Sequence, residues 1–109
     1  MSGILEVIGA ERNFRIHLGV FFLVIVCGVY MKLSAMEWCL ILIVSSLVMV
    51  AEMLNSAIER LIDYLKPEIH PAAKSIKDIA AGSVLLAVIS AVAVGCIIFI
   101  PKIALLFTH

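Results

Sequence analysis

Apolar residues in this chain fall into three long runs divided by short polar stretches, and their spacing predicts an all-α, integral membrane protein. In Met1 to Ala10, residues Ile4, Leu5, Val7 and Ile8 recur at i, i+1, i+3 and i+4. That spacing makes an amphipathic turn or two that lies on a membrane surface and is too short to span it. Leu18 to Leu33 is almost continuously apolar but falls short of the ~20 residues a span requires. Phe14, Ile16 and His17 extend it, giving a surface segment over 1–13 and a first span over 14–33. Ser34 to Glu37 reads as a tight connection. Trp38 supplies an interfacial aromatic, and the helical pattern continues without Gly or Pro to Leu65, before Lys66 and Pro67 break it. Those 28 residues make a helix of about 42 Å against a hydrocarbon core of about 30 Å. The second span, 37–65, therefore carries about two turns into water. Residues 66–76, with Pro67, His70 and Pro71, form a polar loop. The third span, 77–100, is stopped by Pro101 and Lys102, and its Ser83, Ala87, Ala91 and Gly95 form a small-residue ridge that lets another helix approach closely.

Composition strengthens this reading. Of 109 residues, 64% are hydrophobic and 15% charged, and the mean hydropathy of +1.22 leaves room for three spans in a single membrane domain, 1–109. Formal net charge is zero and no basic block occurs, so nucleic acid is not an expected partner. Cys27, Cys39 and Cys96 lack CxxC spacing and lie in apolar runs, which makes them free thiols buried in helices. The first run lacks a small-residue cleavage site and is a retained span. Six of the eight basic residues, Arg12, Arg15, Arg60, Lys66, Lys74 and Lys77, fall on the N-terminal side or around the long loop. The positive-inside rule then puts the N-terminus and the 66–76 loop in the cytoplasm and the C-terminus outside.

Against this apolar background, Glu52, Asn55, Glu59 and Asp63 stand out. At 100° per residue they fall within a stripe of about 80° on one helix face. Ionisable groups at membrane depth are costly, so such a stripe reads as functional. Counting from Trp38, Glu52 lies about 21 Å along the axis, inside the hydrocarbon, and Glu59 about 31 Å along, at the cytoplasmic interface. Glu52 is thus a candidate general base for a lipid-borne hydroxyl, and Glu59 sits where water, magnesium and phosphate arrive. Asn55, one turn from each, either holds the row in register or bonds a neighbouring helix. Asp63 reads equally well as a Mg²⁺ or nucleotide partner and as a solvated helix end.

Glu11 brings a second carboxylate to the plane of Glu59, and two carboxylates plus substrate phosphates is a usual way to hold Mg²⁺. Pairing of Glu11 with Arg12 or Arg15 explains it equally well. Lys77 and Asp78 open the third span at the same level, either meeting phosphate or anchoring a helix start. His70 reads as a solvated loop residue and His17 as a histidine near the interface. No GxxxxGK, GxGxxG or HRD pattern is present, so any nucleotide site is built between membrane helices. A thin three-helix bundle shields an intramembrane carboxylate poorly, which argues for a homo-oligomer with shared polar sites.

The strings Glu11-Arg-Asn-Phe-Arg-Ile-His17, Glu52-Met-Leu-Asn-Ser-Ala-Ile-Glu59-Arg-Leu-Ile-Asp63 and Lys77-Asp-Ile-Ala-Ala-Gly82 resemble the prokaryotic diacylglycerol kinase family, which includes the undecaprenol kinases. The likeness runs from about Gly3 to Ile100. It implies a bacterial inner-membrane homotrimer of three-span subunits, each with an N-terminal surface helix, with active sites between subunits that transfer the γ-phosphoryl of ATP to a membrane lipid alcohol. On that resemblance Glu52 accepts the hydroxyl proton and Asn55 organises the centre. Glu11 and Glu59 hold Mg²⁺ on the ATP phosphates. Glu68, His70, Lys77 and Asp78 contact the nucleotide, and Asn13, Phe14, Arg15 and His17 flank the lipid. ERNFRIH and the His70-Pro-Ala-Ala-Lys segment are similar to the undecaprenol-kinase-like branch, which favours undecaprenol with diacylglycerol close behind. Family members usually carry further residues ahead of the position of Gly3 that supply an arginine and aromatic contacts. Their absence before Met1 implies either a shortened chain or reduced activity.

Two other functions fit parts of the pattern. A proton-coupled transporter subunit also uses a membrane-embedded Glu, but here the acids step towards one face only, and Leu40 to Met49 offers just Ser45 and Ser46. A catalytically impaired or structural relative is the other alternative.

Overall fold

The computed structural model describes residues 2–65 and 71–108. It contains four helices, α1 (Ser2–Ala10), α2 (Arg12–Tyr30), α3 (Ala35–Tyr64) and α4 (Pro71–Phe107), and no strand among the described residues. The last three are each long and apolar enough to cross a membrane. The chain is elongated, 62 × 27 × 21 Å, so its long axis exceeds the roughly 40–45 Å of a bilayer with its headgroups.

Local chemistry sets the helix ends. Glu11 is extended (φ −109°, ψ 110°) between α1 and α2, and its carbonyl accepts from the Arg15 amide at 3.2 Å. At the far end of α2, Lys32 takes a left-handed φ of 56°. The Lys32 and Leu33 amides then donate back to the Val29 and Gly28 carbonyls at 3.3 and 3.2 Å, the paired bonds of a Schellman cap, which usually carries Gly where Lys32 stands. Ser34 starts α3 with a capping box. Its hydroxyl accepts from the Glu37 amide at 3.2 Å and its own amide donates to the Glu37 carboxylate at 2.9 Å. The connection is therefore Met31 to Ser34 instead of Ser34 to Glu37. Ser34-x-x-Glu37 belongs to the helix it caps.

The third long helix departs further from expectation. Residues 71–76, expected in the loop, form the first turns of α4, with Pro71 at its start, where the missing N–H costs nothing. At the other end α4 runs through Pro101 to Phe107. Proline removes one backbone bond, but unwinding Ile103 to Phe107 in an apolar medium would orphan several. Lys102, paired with Glu37 at 3.1 Å, ties this extension to the start of α3.

Packing is concentrated between α3 and α4. Ala73, Ala80 and Ala87 are buried at seven-residue intervals along α4, so their small side chains form the seam that meets α3. The expected ridge is displaced. Of its members only Ala87 is buried, Ala91 and Gly95 are half-buried and Ser83 is exposed, with the Ser83 hydroxyl folded onto the Ala80 carbonyl at 2.6 Å. Val48, Ala51 and Ala87 form the central cluster, and Leu33, Ile41 and Ile98 the outer one. No large side chain is fully buried among the described residues, while Phe22, Leu23, Val26, Ile43 and Leu86 stand exposed. Cys39 and Cys96 are likewise exposed on helix surfaces and not buried, and all three cysteines are free. Such surfaces require lipid or protein around them.

Gly28 lets the C-terminal end of α2 and the N-terminal end of α3 touch: a Cβ there would lie 2.7 Å from the Trp38 ring and 2.9 Å from the Leu33 side chain. Gly28→Ala is expected to destabilise the folded chain by about 1–3 kcal/mol through overpacking, read as a lowered Tm in detergent, while the inner-end site keeps its turnover at permissive temperature.

Candidate active site

The buried face of α3 changes character along its length. Its outer half buries Ile41 and Val48, and its inner half buries Glu52, Asn55 and Ser56. Glu52 is only 4% exposed. An unpaired charge so placed is expensive, and the nearest counter-group is His17 of α2, whose Nε2 lies 3.8 Å from a Glu52 oxygen. That distance permits electrostatic attraction without a direct hydrogen bond. Phe14, buried one turn earlier on α2, keeps that helix seated.

One turn beyond Glu52, the Asn55 amide donates to Glu59 Oε1 at 3.3 Å and also acts on the Glu52 carboxylate. Its Oδ1 is buried without a partner. A buried orphan acceptor is a place for a hydroxyl or a water. Glu11 and Glu59 lie near enough for their charges to act on Glu52. No cluster of three or more His, Cys, Asp or Glu side chains close enough to enclose a metal occurs among the described residues. The donors available are carboxylate and amide oxygens, which suit a hard cation that keeps several waters and substrate phosphates as ligands.

The remaining candidates distribute unequally. Asp63 pairs with Lys77 across the α3–α4 interface at 2.7 Å, which links two residues the sequence left separate. Asp78 pairs with Lys74 at 2.9 Å. Arg15 turns back to α1, donating to the Ile8 and Gly9 carbonyls at 2.9 and 3.2 Å, and Asn13 is exposed. Glu68 and His70 lie outside the described residues. Glu6 and Arg60, which sequence reasoning did not single out, pair at 2.6 Å. A contact between residues 54 apart leaves no local signature in the chain.

An apolar cavity of about 340 Å³ runs outward from His17 between α2, α3 and α4, walled by Phe21, Val24, Ile41, Val48 and Phe99. The polar row and the apolar cavity therefore meet at His17, with the buried carboxylate beside the junction.

The described residues thus form a helical bundle apolar enough to cross a membrane, with an apolar cavity that ends at His17 beside a buried carboxylate. The sequence profile of the family described as "Prokaryotic diacylglycerol kinase" matches residues 1–99. The chain is 38% identical over 100 residues to the undecaprenol kinase of Bacillus subtilis, covering 92% of this chain and 81% of that protein. It is 38% identical over 107 residues to a diacylglycerol kinase of Synechocystis, covering 96% of this chain and 61% of that protein. It is 34% identical over 88 residues to the diacylglycerol kinase of Escherichia coli K12, covering 81% and 72% respectively. The chain belongs to the prokaryotic diacylglycerol kinase family, and it is an ATP-dependent lipid kinase. Family membership sets aside the transporter reading.

Asn55→Leu keeps the side-chain bulk and removes both the donor to Glu59 and the orphan acceptor. It is expected to lower kcat by about 10²-fold, as for loss of one preorganised polar contact in an active site, with unchanged elution in detergent gel filtration.

Proposed function

We propose that the chain transfers the γ-phosphoryl group of MgATP to the hydroxyl of undecaprenol at the cytoplasmic leaflet, as a homotrimer with its N-terminus and the start of α4 in the cytoplasm. The observation that carries this reading is the burial of Glu52 beside His17, a residue that also lines the apolar cavity. An isoprenoid or acyl tail lying in the cavity brings its hydroxyl to Glu52. Undecaprenol is favoured by the Glu11–His17 and His70–Lys74 strings, and the similarity to the Bacillus enzyme supports it. The basic residues around the inner helix ends support the orientation. The exposed apolar faces of a chain whose core lacks a fully buried large side chain among the described residues support self-association.

In this mechanism Glu52 accepts the hydroxyl proton as the lipid oxygen bonds to the γ-phosphorus. The bond from that phosphorus to the bridging oxygen breaks, and ADP departs with the electron pair. Glu11 and Glu59 would hold the Mg²⁺ that accompanies ATP, and Asn55 keeps Glu59 in register with Glu52. When bound, the ion neutralises charge on the transferring group. Most of the acceleration comes from positioning and electrostatics, as is general for phosphoryl transfer. Lys77 leaves Asp63 to meet a phosphate oxygen, exchanging one anion for another. Asp78, with Glu68 and His70 from the loop, contacts the rest of the nucleotide, and His17, Asn13, Phe14 and Arg15 line the lipid's approach.

Purified protein given radiolabelled ATP with undecaprenol or diacylglycerol in separate micelles is expected to label undecaprenol faster. Faster labelling of diacylglycerol would reverse the acceptor assignment, and absence of label from both would remove the catalytic reading of this chain. Glu59→Gln is expected to raise the Mg²⁺ concentration needed for half-maximal rate by about tenfold or more, with residual rate recovered at high Mg²⁺.

A further inference from the structure

Arg60 follows Glu59 on α3, but the 100° turn between neighbouring residues points it towards α1 instead of into the polar row. Its guanidinium reaches two carboxylates: Glu6 Oε2 at 2.6 Å and Glu11 Oε1 at 3.8 Å. The short contact is with Glu6. The longer one leaves the Glu11 oxygens outside hydrogen-bonding distance of Arg60.

The elbow between α1 and α2 explains why this matters. Glu11 is the extended residue at that elbow and makes no side-chain cap on α2, so the direction of its carboxylate is set by how α1 is held. Among the described residues, two arginines make side-chain hydrogen bonds to α1, beside the apolar packing of the buried Val7. Arg15 ties its last carbonyls to α2, and Arg60 ties Glu6 to α3. The second is, among the described residues, a polar link from α1 to the helix that carries Glu52 and Glu59. The pair is exposed, with side chains 43% and 67% accessible, and exposed ion pairs add little to global stability. Its consequence is orientation.

We propose that Arg60 is a positioning residue for the kinase reaction: by latching Glu6 it docks α1 on α3 and holds Glu11 facing Glu59, so that the two carboxylates can share one divalent cation. Arg60 touches neither lipid nor phosphate. Glu6 is the other half of the latch, and a positive charge on one side with a negative charge on the other is what the latch requires.

The inference rests on Glu11 serving as a metal ligand, and the experiment separates the two claims. Mn²⁺, which takes the same oxygen ligands as Mg²⁺, is titrated into the full-length protein with a non-hydrolysable ATP analogue, and free Mn²⁺ is followed by its EPR signal. Arg60→Ala and Glu6→Gln are each expected to weaken Mn²⁺ binding about tenfold, the usual effect of losing a group that orients a metal ligand. They raise the KM for MgATP more than they lower kcat. Arg60→Lys, which keeps the charge, retains most of the affinity. The exchanged pair Glu6→Arg with Arg60→Glu rebuilds the latch with reversed polarity and is expected to recover affinity lost in either single variant. Wild-type Mn²⁺ affinity in Arg60→Ala, alongside loss of binding in Glu11→Gln, would overturn the latch and leave the metal assignment standing. Failure of the exchanged pair to recover would also overturn it, by showing that the charge of Arg60 beside Glu11 is what counts. Undiminished binding in Glu11→Gln would remove the metal assignment and the latch with it.

Discussion

The rest of the structure depends on one constraint: a carboxylate, Glu52, is held 4% exposed on a helix apolar enough to cross a membrane. Burying such a group without a partner costs several kcal/mol or more, so the fold must supply compensation around it. It does so with His17 from α2, with the amide of Asn55, and with the small-residue seam of Ala80 and Ala87 that lets α4 pack closely on α3. A group that costs stability and is retained is expected to serve chemistry.

Compensation is graded by depth. Glu52 is deep and meets His17. Glu59, at the next two turns, receives a hydrogen bond from Asn55. Asp63, near the helix end, is paired with Lys77. Along the row from Glu52 to Asp63, the partner changes from an imidazole 3.8 Å away to a direct lysine pair at 2.7 Å. That gradient is the basis for proposing a base at the buried end and ion and phosphate chemistry at the wet end, with the apolar cavity beginning at His17 as the proposed path for the lipid. At the opposite side of the membrane, the capping box of Ser34 and Glu37 and the Lys102 pairing hold the outer ends together without any part in this row.

Most of the α3 row was legible because a helix imposes a fixed 100° step, so Glu52, Asn55 and Glu59 could be placed on one face from spacing alone. The three apolar helices were legible for the same reason. Boundaries were less so. Pro101 is a helix stop in water, yet α4 continues through it to Phe107, because an apolar medium penalises each freed backbone group more than water does. Ser34-x-x-Glu37 carried a capping signal that was assigned to a turn. Contacts between distant segments left no periodic trace: Arg60 with Glu6, Asp63 with Lys77, and His17 with Glu52 all required the fold. The small-residue ridge was read one face away from the seam that α4 uses, since Ser83, Ala87, Ala91 and Gly95 at four-residue steps drift around the helix while Ala73, Ala80 and Ala87 at seven-residue steps stay aligned with a neighbour.

The central claim is that Glu52 takes the proton of the lipid hydroxyl. It is tested most directly by the single-turnover rate of γ-phosphoryl transfer in Glu52→Gln, measured with saturating MgATP and lipid in protein shown to retain its oligomeric state and nucleotide binding. Loss of a positioned general base lowers the chemical step by about 10²- to 10⁴-fold, and a fall of that size with nucleotide affinity unchanged is the predicted result. A single-turnover rate close to that of the unaltered chain would contradict it.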